Sequence, residues 1–262
     1  MPAEVWERGE IYESYVGRWS RLVADRFVAS LAVAAGGRWV DVGCGTGALT
    51  GVVLASADPA SVLAMDRSRG YLDHARQLAG ARFAVADARA LPVRDGAADA
   101  VVSGLVLNFV PDPGAAAAEM ARVCRPGGTV AVYLWDYAGG MQAIRLYWDA
   151  AAAVDPVAAR SDEAARFPLC RPEAMARLLE SAGLEAVGTG EITVPTPFRD
   201  FEDYWTPFLG GQGPAPGHYA GLSIEDQRRL RDQLASSLPY QPDGSLALSA
   251  RAWVARGTVP AR

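Results

Sequence analysis

The sequence predicts a doubly wound α/β fold, and three observations predict it. From Arg38 onward, short apolar runs recur with segments of helical spacing between them; the runs are apolar throughout rather than alternating; and the first of them opens directly into a glycine-rich turn. Strands buried on both faces read as continuous apolar runs, and strands that alternate with helices imply a mostly parallel sheet.

The elements follow in order. Arg38–Cys44 (RWVDVGC) is a strand and Ala48–Ser56 a helix; Ser61–Asp66 (SVLAMD) is a strand and Arg69–Ala79 a helix. Ala81–Asp87 and Asp99–Ser103 are strands, Ala115–Cys124 is a helix, and Thr129–Asp136 (TVAVYLWD) is the fifth strand. Beyond it, Tyr137–Ala153 has helical spacing, Asp155–Cys170 is irregular, and Arg171–Ala182 is a helix stopped by Gly183. Leu184–Thr193 is a strand, Gly210–Gly221 (GGQGPAPGHYAG) a Gly/Pro-rich loop, and Ile224–Leu234 a helix. After the turn signal Asp243-Gly244, Ser245–Val254 alternates as a half-exposed antiparallel edge strand should. The expectation is a seven-stranded, mostly parallel sheet with an antiparallel edge strand and helical lid insertions. The segments divide as an N-terminal helical cap (1–30), a core (31–136), insertions (137–170 and 199–240) and a C-terminal part of the sheet (171–198 and 241–259).

Composition removes several functions. The 262 residues carry 25 basic and 30 acidic groups, for a net charge of −5, so no field gathers a polyanion and nucleic acid is not an expected partner. Every basic residue apart from the two histidines is arginine. Schiff-base chemistry and the phosphate-binding lysine of a P-loop are therefore absent. The 3 cysteines, Cys44, Cys124 and Cys170, form neither a CxxC pair nor a zinc spacing, which points to a reducing cytoplasm and no metal. The first ten residues lack the apolar stretch of a secretory signal, and no segment reaches membrane-spanning length.

The turn Asp41-Val42-Gly43-Cys44-Gly45-Thr46-Gly47 carries the chemistry. Glycines at alternate positions let the backbone bend sharply and let a bulky ligand come close, while the next helix offers free N–H groups at its start. A nucleotide-like ligand belongs there. Gly43, Gly45 and Ala48 satisfy the dinucleotide pattern G-x-G-x-x-G/A, with Asp66 at a suitable distance for a ribose.

Other features distinguish a second family. An acidic residue, Asp41, stands two before the first glycine; Asp66 ends the second strand; Asp87-Ala88 ends the third; and Arg125-Pro126-Gly127-Gly128 precedes the fifth. In this order they resemble the class I S-adenosylmethionine-dependent methyltransferases. Arg89-Ala90-Leu91-Pro92 and Pro111-Asp112-Pro113 are similar to the type 11, ubiquinone-biosynthesis-like branch, and the segments Tyr12–Ser20 (YESYVGRWS) and Ala250-Arg251-Ala252-Trp253 resemble a bacterial subgroup of unknown substrate. The resemblance extends over about Tyr12 to Val254 and departs from the family at Arg125, where relatives carry lysine.

The resemblance implies a Rossmann-like fold with S-adenosyl-L-methionine as cofactor. It places Asp66, with Arg67 beside it, at the ribose, Asp87 and Ala88 at the adenine, the Gly43–Gly47 turn at the methionine end, and Ser103 at the end of the fourth strand near the same ligand. Tyr15 and Trp19 offer aromatic faces to a sulfonium, and Arg18 a partner for its carboxylate. Trp6, Tyr12, Tyr15 and Trp19 equally fit the packed face of a helix.

The chemistry implied is methyl transfer to O, N or C of a small organic acceptor. The segment Ser103–Phe109 (SGLVLNF) lacks the Asn/Asp-Pro-Pro-aromatic, Pro-Cys and paired-glutamate signatures of nucleic-acid, glutamine and arginine methylation. Candidate catalytic residues are Asn108, which either faces the acceptor or caps a helix; Asp136, either a base or an N-cap; and His218, in the Gly/Pro loop. The aromatics Tyr137, Tyr147, Trp148, Phe167, Phe198, Phe201, Tyr204, Trp205 and Phe208 are concentrated in the insertions. They read as an apolar pocket, or as a packed cap or dimer interface. The remaining alternatives are a cofactor-binding module that transfers nothing and a nicotinamide oxidoreductase, and the expected state is a monomer or homodimer.

Overall fold

The computed structural model describes residues 17–210 and 213–261, apart from the side chain of Arg18. Seven strands form one sheet: β1 (Arg38–Val42), β2 (Ser61–Asp66), β3 (Ala81–Val85), β4 (Ala98–Gly104), β5 (Cys124–Trp135), β6 (Glu185–Phe198) and β7 (Leu246–Thr258). Their order is β3-β2-β1-β4-β5-β7-β6. The chain falls into two compact units, a core whose described parts are residues 20–134, 169–192 and 252–261 and an insertion unit whose described parts are residues 17–19, 135–168, 193–210 and 213–251.

In the core, β1 pairs in parallel with β2 and β4, β2 with β3, and β4 with β5. Chain order reverses direction between β1 and β4, the switch point at which ligands sit in such sheets. The central strands have almost no solvent contact: Val101, Val102, Val130, Ala131 and Val132 are all fully buried. This explains their unbroken apolar sequence, because a sheet covered on both faces has no polar side to show. Truncating one of these large apolar side chains removes contacts that a rigid core cannot refill, at about 1–5 kcal/mol each.

At the other end of these strands, Asp99 joins β1 to β5 by accepting from Arg38 (2.8 Å) and Arg125 (2.5 Å). The two guanidiniums hold its carboxyl well below the usual range. Arg125 thus has a structural task of its own.

Several boundaries differ from expectation. Arg125–Gly128 lies inside β5, with a register irregularity opposite Ala98 and Ala100, rather than ahead of it. The antiparallel pair closing the sheet is present, but β7 is its inner member and β6 the edge. Half-exposure of alternate β7 residues misleads on this point, since an inner strand also shows alternation where one face is thinly covered. β6 runs five residues past the expected Thr193, through Pro195 and Pro197. An edge strand tolerates prolines because one row of its N–H groups has no partner to lose, and here Val194, Thr196 and Phe198 turn inward while the prolines stay exposed.

The insertion unit combines helices with the end of β6 and the start of β7. Its main helices are Gln142–Val154, Phe201–Trp205, Pro214–Gly221 and Ile224–Ser237. The segment read as a Gly/Pro loop is therefore a helix over Pro214–Gly221, started by Pro214 at a position where a missing N–H costs nothing. The helix expected from Tyr137 starts at Gln142, because Asp136 first closes a turn: its carbonyl accepts from the N–H groups of Gly140 and Met141.

Candidate functional site

The glycine turn is built against the end of β2. The N–H groups of Gly43 and Cys44 both donate to the Met65 carbonyl (2.7 and 2.9 Å), and Gly47 donates to the Cys44 carbonyl (2.9 Å). Gly43, Gly45 and Gly47 all have positive φ (75°, 54° and 92°), which favours glycine. A Cβ on Gly43 would lie 2.5 Å from Val106, and one on Gly47 would lie 2.6 Å from Leu78. A Cβ on Gly45 would meet nothing within 4 Å. Gly43 and Gly47 are thus glycine because the protein packs on them, whereas Gly45 exposes bare backbone to open space. Cys44 is buried against Ala64, Leu72 and Phe83, and burial pushes its thiol far up, so it fills space under the turn.

Two carboxyl groups flank this turn. Asp66 is nearly buried and is held by two backbone donors: Oδ2 accepts from Gly45 (3.0 Å) and Oδ1 from Ser68 (2.8 Å), and each oxygen keeps a lone pair. Burial raises its pKa against the pull of those N–H groups. Asp41 is fully enclosed. Its Oδ2 accepts from the Thr50 hydroxyl at 2.6 Å, its Oδ1 has no partner, and burial pushes its carboxyl up to about 7. The structure thus brings Asp41, Gly43, Gly45, Gly47 and Asp66 together at the switch point.

The other predicted residues of the core vary. Arg67 is exposed beside Asp66. Asp87 is also exposed, and Arg89 grips it with a 2.6 Å ion pair that holds its carboxyl well below the usual range; Ala88 between them is half-buried. Ser103 is buried, and its hydroxyl donates to the Val42 carbonyl at 2.8 Å, fastening β4 to β1. Asn108 lies on a single 3₁₀ turn, Leu107–Phe109, with its amide nitrogen buried and unpartnered. Just before it, Leu105 adopts φ 62°, a strained conformation for a branched side chain, and Val106 walls the Gly43 turn. The sequence gives no signal for Leu105 or Val106, which read only as two apolar residues in the segment after the fourth strand. Tyr15 lies outside the described residues, as does the side chain of Arg18.

In the insertion unit, Asp136 and His218 are bound into the fold. Asp136 Oδ2 accepts from Arg251 Nε (2.9 Å) and Nη2 (2.7 Å), and Oδ1 from the N–H of Ala138 (3.1 Å). The His218 ring joins Tyr147 Oη through Nδ1 (2.8 Å) and Asp155 through Nε2 (3.2 Å). Most of the insertion aromatics pack on each other: Tyr147 stacks on Phe208 at 4.8 Å, and Trp205 meets Tyr219 edge-on at 5.0 Å. Among the described residues, no cluster of His, Cys, Asp and Glu could hold a metal, and no helix is long and apolar enough to cross a membrane.

Comparison with known proteins agrees with this geometry. A family model described as a methyltransferase domain matches residues 40–132. An uncharacterised protein of Mycobacterium tuberculosis is 38% identical over 118 residues, covering 43% of this chain and 42% of that protein. The malonyl-[acyl-carrier protein] O-methyltransferase of Hahella chejuensis is 40% identical over 92 residues, covering 34% of this chain and 33% of that one. The chain thus matches less than half the length of these relatives. In fold, it is similar to a phosphoethanolamine N-methyltransferase 2 of Haemonchus contortus, solved with phosphomonomethylethanolamine and S-adenosylhomocysteine. The TM-score is 0.56 at 17% identity, over 97% of this chain and 57% of that one.

A second structure of that Haemonchus contortus enzyme, 16% identical at a TM-score of 0.56, was solved with S-adenosyl-L-methionine. The residues present fit it on two observations: the open backbone face at Gly45, and the spare acceptor capacity of two carboxyl groups at the switch point.

Proposed function

We propose that this chain, which belongs to the class I S-adenosylmethionine-dependent methyltransferases of the type 11 branch, moves a methyl group to an oxygen, nitrogen or carbon of a small organic acceptor by direct displacement in a closed pocket. The observation that carries the reading is the Gly45 face beside Asp66. When bound, the cofactor supplies a methyl group made electrophilic by its sulfonium.

The chain's own residues have defined tasks in this reading. Gly45 and Ser68 orient the Asp66 carboxylate, whose remaining lone pairs accept from ribose hydroxyls. The Gly43–Gly47 turn receives the methionine end. Asp87 and Ala88 meet the adenine, which requires Asp87 to share its carboxylate with Arg89. Arg67 stands at the ribose edge, and Ser103 acts indirectly by fixing the strand ends. Tyr15 is assigned to the sulfonium as an aromatic partner, and Arg18 to the carboxylate as an ionic one. Asn108, with an unpartnered amide N–H, orients the acceptor. Direct displacement gains most of its rate from alignment and exclusion of water, so a dedicated base is not required.

A second reading, a cofactor-binding module without transfer, draws on the commitment of Asp136 and His218 to contacts within the fold. Release of S-adenosylhomocysteine from labelled cofactor, with a panel of small ring acceptors, separates the two. Acceptor-dependent release supports the transferase. Tight cofactor binding with no release across the panel, in protein whose cofactor site is intact, supports the module.

A further inference from the structure

The insertion unit contains a small cavity that opens to solvent. Its walls include the aromatic rings of Trp19, Phe198, Tyr204 and Phe208, which form a continuous series with centroids 5.9, 5.5 and 5.3 Å apart. Among the described residues, no lining side chain carries a formal charge. Tyr204 gives its hydroxyl to the Ala143 carbonyl (2.9 Å), and Gln142 uses its side-chain oxygen on the Ser249 N–H (2.7 Å). The exception is Thr196. It is 2% exposed, it sits on the inward face of β6, and its Oγ1 has no hydrogen-bond partner.

A buried hydroxyl left without a partner costs about 1–3 kcal/mol, so a partner that is absent from the protein itself is implied. The walls state the chemistry of that partner. A carboxylate, phosphate or ammonium would enter this cavity with no counter-charge and at a large desolvation cost. A neutral ring would instead stack among four aromatic side chains.

We propose that this cavity is a binding site for an uncharged, ring-bearing small molecule that hydrogen-bonds to Thr196 Oγ1. Thr196 is a specificity-determining residue there. That this molecule is the methyl acceptor rests on the transferase reading above; the site itself rests only on the cavity and Thr196.

The test uses three nearly isosteric probes, benzamide, benzoate and benzylammonium, with toluene as the probe that cannot hydrogen-bond, all titrated by ligand-observed NMR. S-adenosylhomocysteine is titrated into the same samples by calorimetry. Benzamide is expected to bind at least about tenfold more tightly than either charged probe. Thr196→Val, which keeps the shape, should weaken benzamide about fivefold to tenfold and leave toluene unchanged, while Thr196→Ser should retain benzamide. Circular dichroism and thermal melting confirm that both variants fold. Charged probes that match benzamide, a Thr196→Val protein that binds it as before, or no probe binding to protein that takes up S-adenosylhomocysteine would each overturn the proposal. Benzamide binding that depends on Thr196, in a protein that ignores S-adenosylhomocysteine, would keep the site and overturn its role as an acceptor seat.

Discussion

The core and the insertion unit treat their buried polar groups in opposite ways. In the core, Asp41 and Asp66 flank the glycine turn and are held by a hydroxyl and two backbone N–H groups, with oxygen lone pairs to spare. In the insertion unit, polar side chains are tied to each other: Asp136 to Arg251, Arg145 to Asp162, Tyr147 through His218 to Asp155, and Trp148 to Glu163. Spare capacity beside open space marks where a ligand is held, and mutual satisfaction marks where helices are fastened together. Trp135 Nε1, Glu163 Oε1 and Thr196 Oγ1 break the second pattern inside the insertion unit, and of these three Thr196 is the one that lines the cavity.

Four substitutions sharpen this contrast, beginning with the largest effect. Arg251→Ala leaves the Asp136 carboxylate, 3% exposed, without its guanidinium, and is expected to destabilise by about 3–5 kcal/mol in urea denaturation. A loss below about 1 kcal/mol would show that the pair is not a fastening. Gly45→Ala should do the reverse, with stability changed by about 1 kcal/mol and affinity for S-adenosylhomocysteine reduced at least about a hundredfold, equivalent to about 2.7 kcal/mol. Unchanged affinity there would mean that nothing approaches that face.

Glu163→Gln tests a buried carboxyl through pH. Glu163 is enclosed, accepts from Trp148 Nε1, has a second oxygen without a partner, and is pushed by burial from 4.5 to about 7. The folded state therefore holds a proton that the unfolded chain releases earlier, and this stabilisation is full below about pH 4.5 and lost as pH rises to about 7. Glutamine keeps the bond to Trp148 without the titration. The variant is expected to match wild type near pH 4.5, to exceed it at pH 8 by up to about 3 kcal/mol, and to keep the parallel slopes from Asp41 and Asp66. Equal stability at pH 8 would refute the burial argument. The smallest effect is expected from Tyr147→Phe, which removes one hydroxyl from His218 and should cost about 1 kcal/mol by thermal melting, with cofactor affinity intact.

The core was more legible than the insertions, for physical reasons. Ser61–Asp66 and Ala48–Ser56 fall at their expected residues because an apolar run ended by a charge, or a helix entered from a glycine, is a local signal. Local signals failed where context decided: Pro195 and Pro197 read as strand breakers, yet the edge position of β6 tolerates them. Pro214 and Gly217 read as loop residues, yet they lie in a helix packed against the Gln142–Val154 helix. At the site, the turn and Asp66 were visible as a motif. The Asp87–Arg89 pair, the strain at Leu105 and the solitary hydroxyl of Thr196 depend on which side chains meet, and no spacing reports that.

The central claim, that the Gly45 face and Asp66 hold a nucleoside sulfonium, is tested most directly by calorimetric titration of S-adenosylmethionine, S-adenosylhomocysteine and NADH into the wild type and Asp66→Ala. The account predicts micromolar binding of the first two, weakened at least about tenfold in the variant, and none of NADH. Binding of NADH alone, or cofactor affinity indifferent to Asp66, would contradict it.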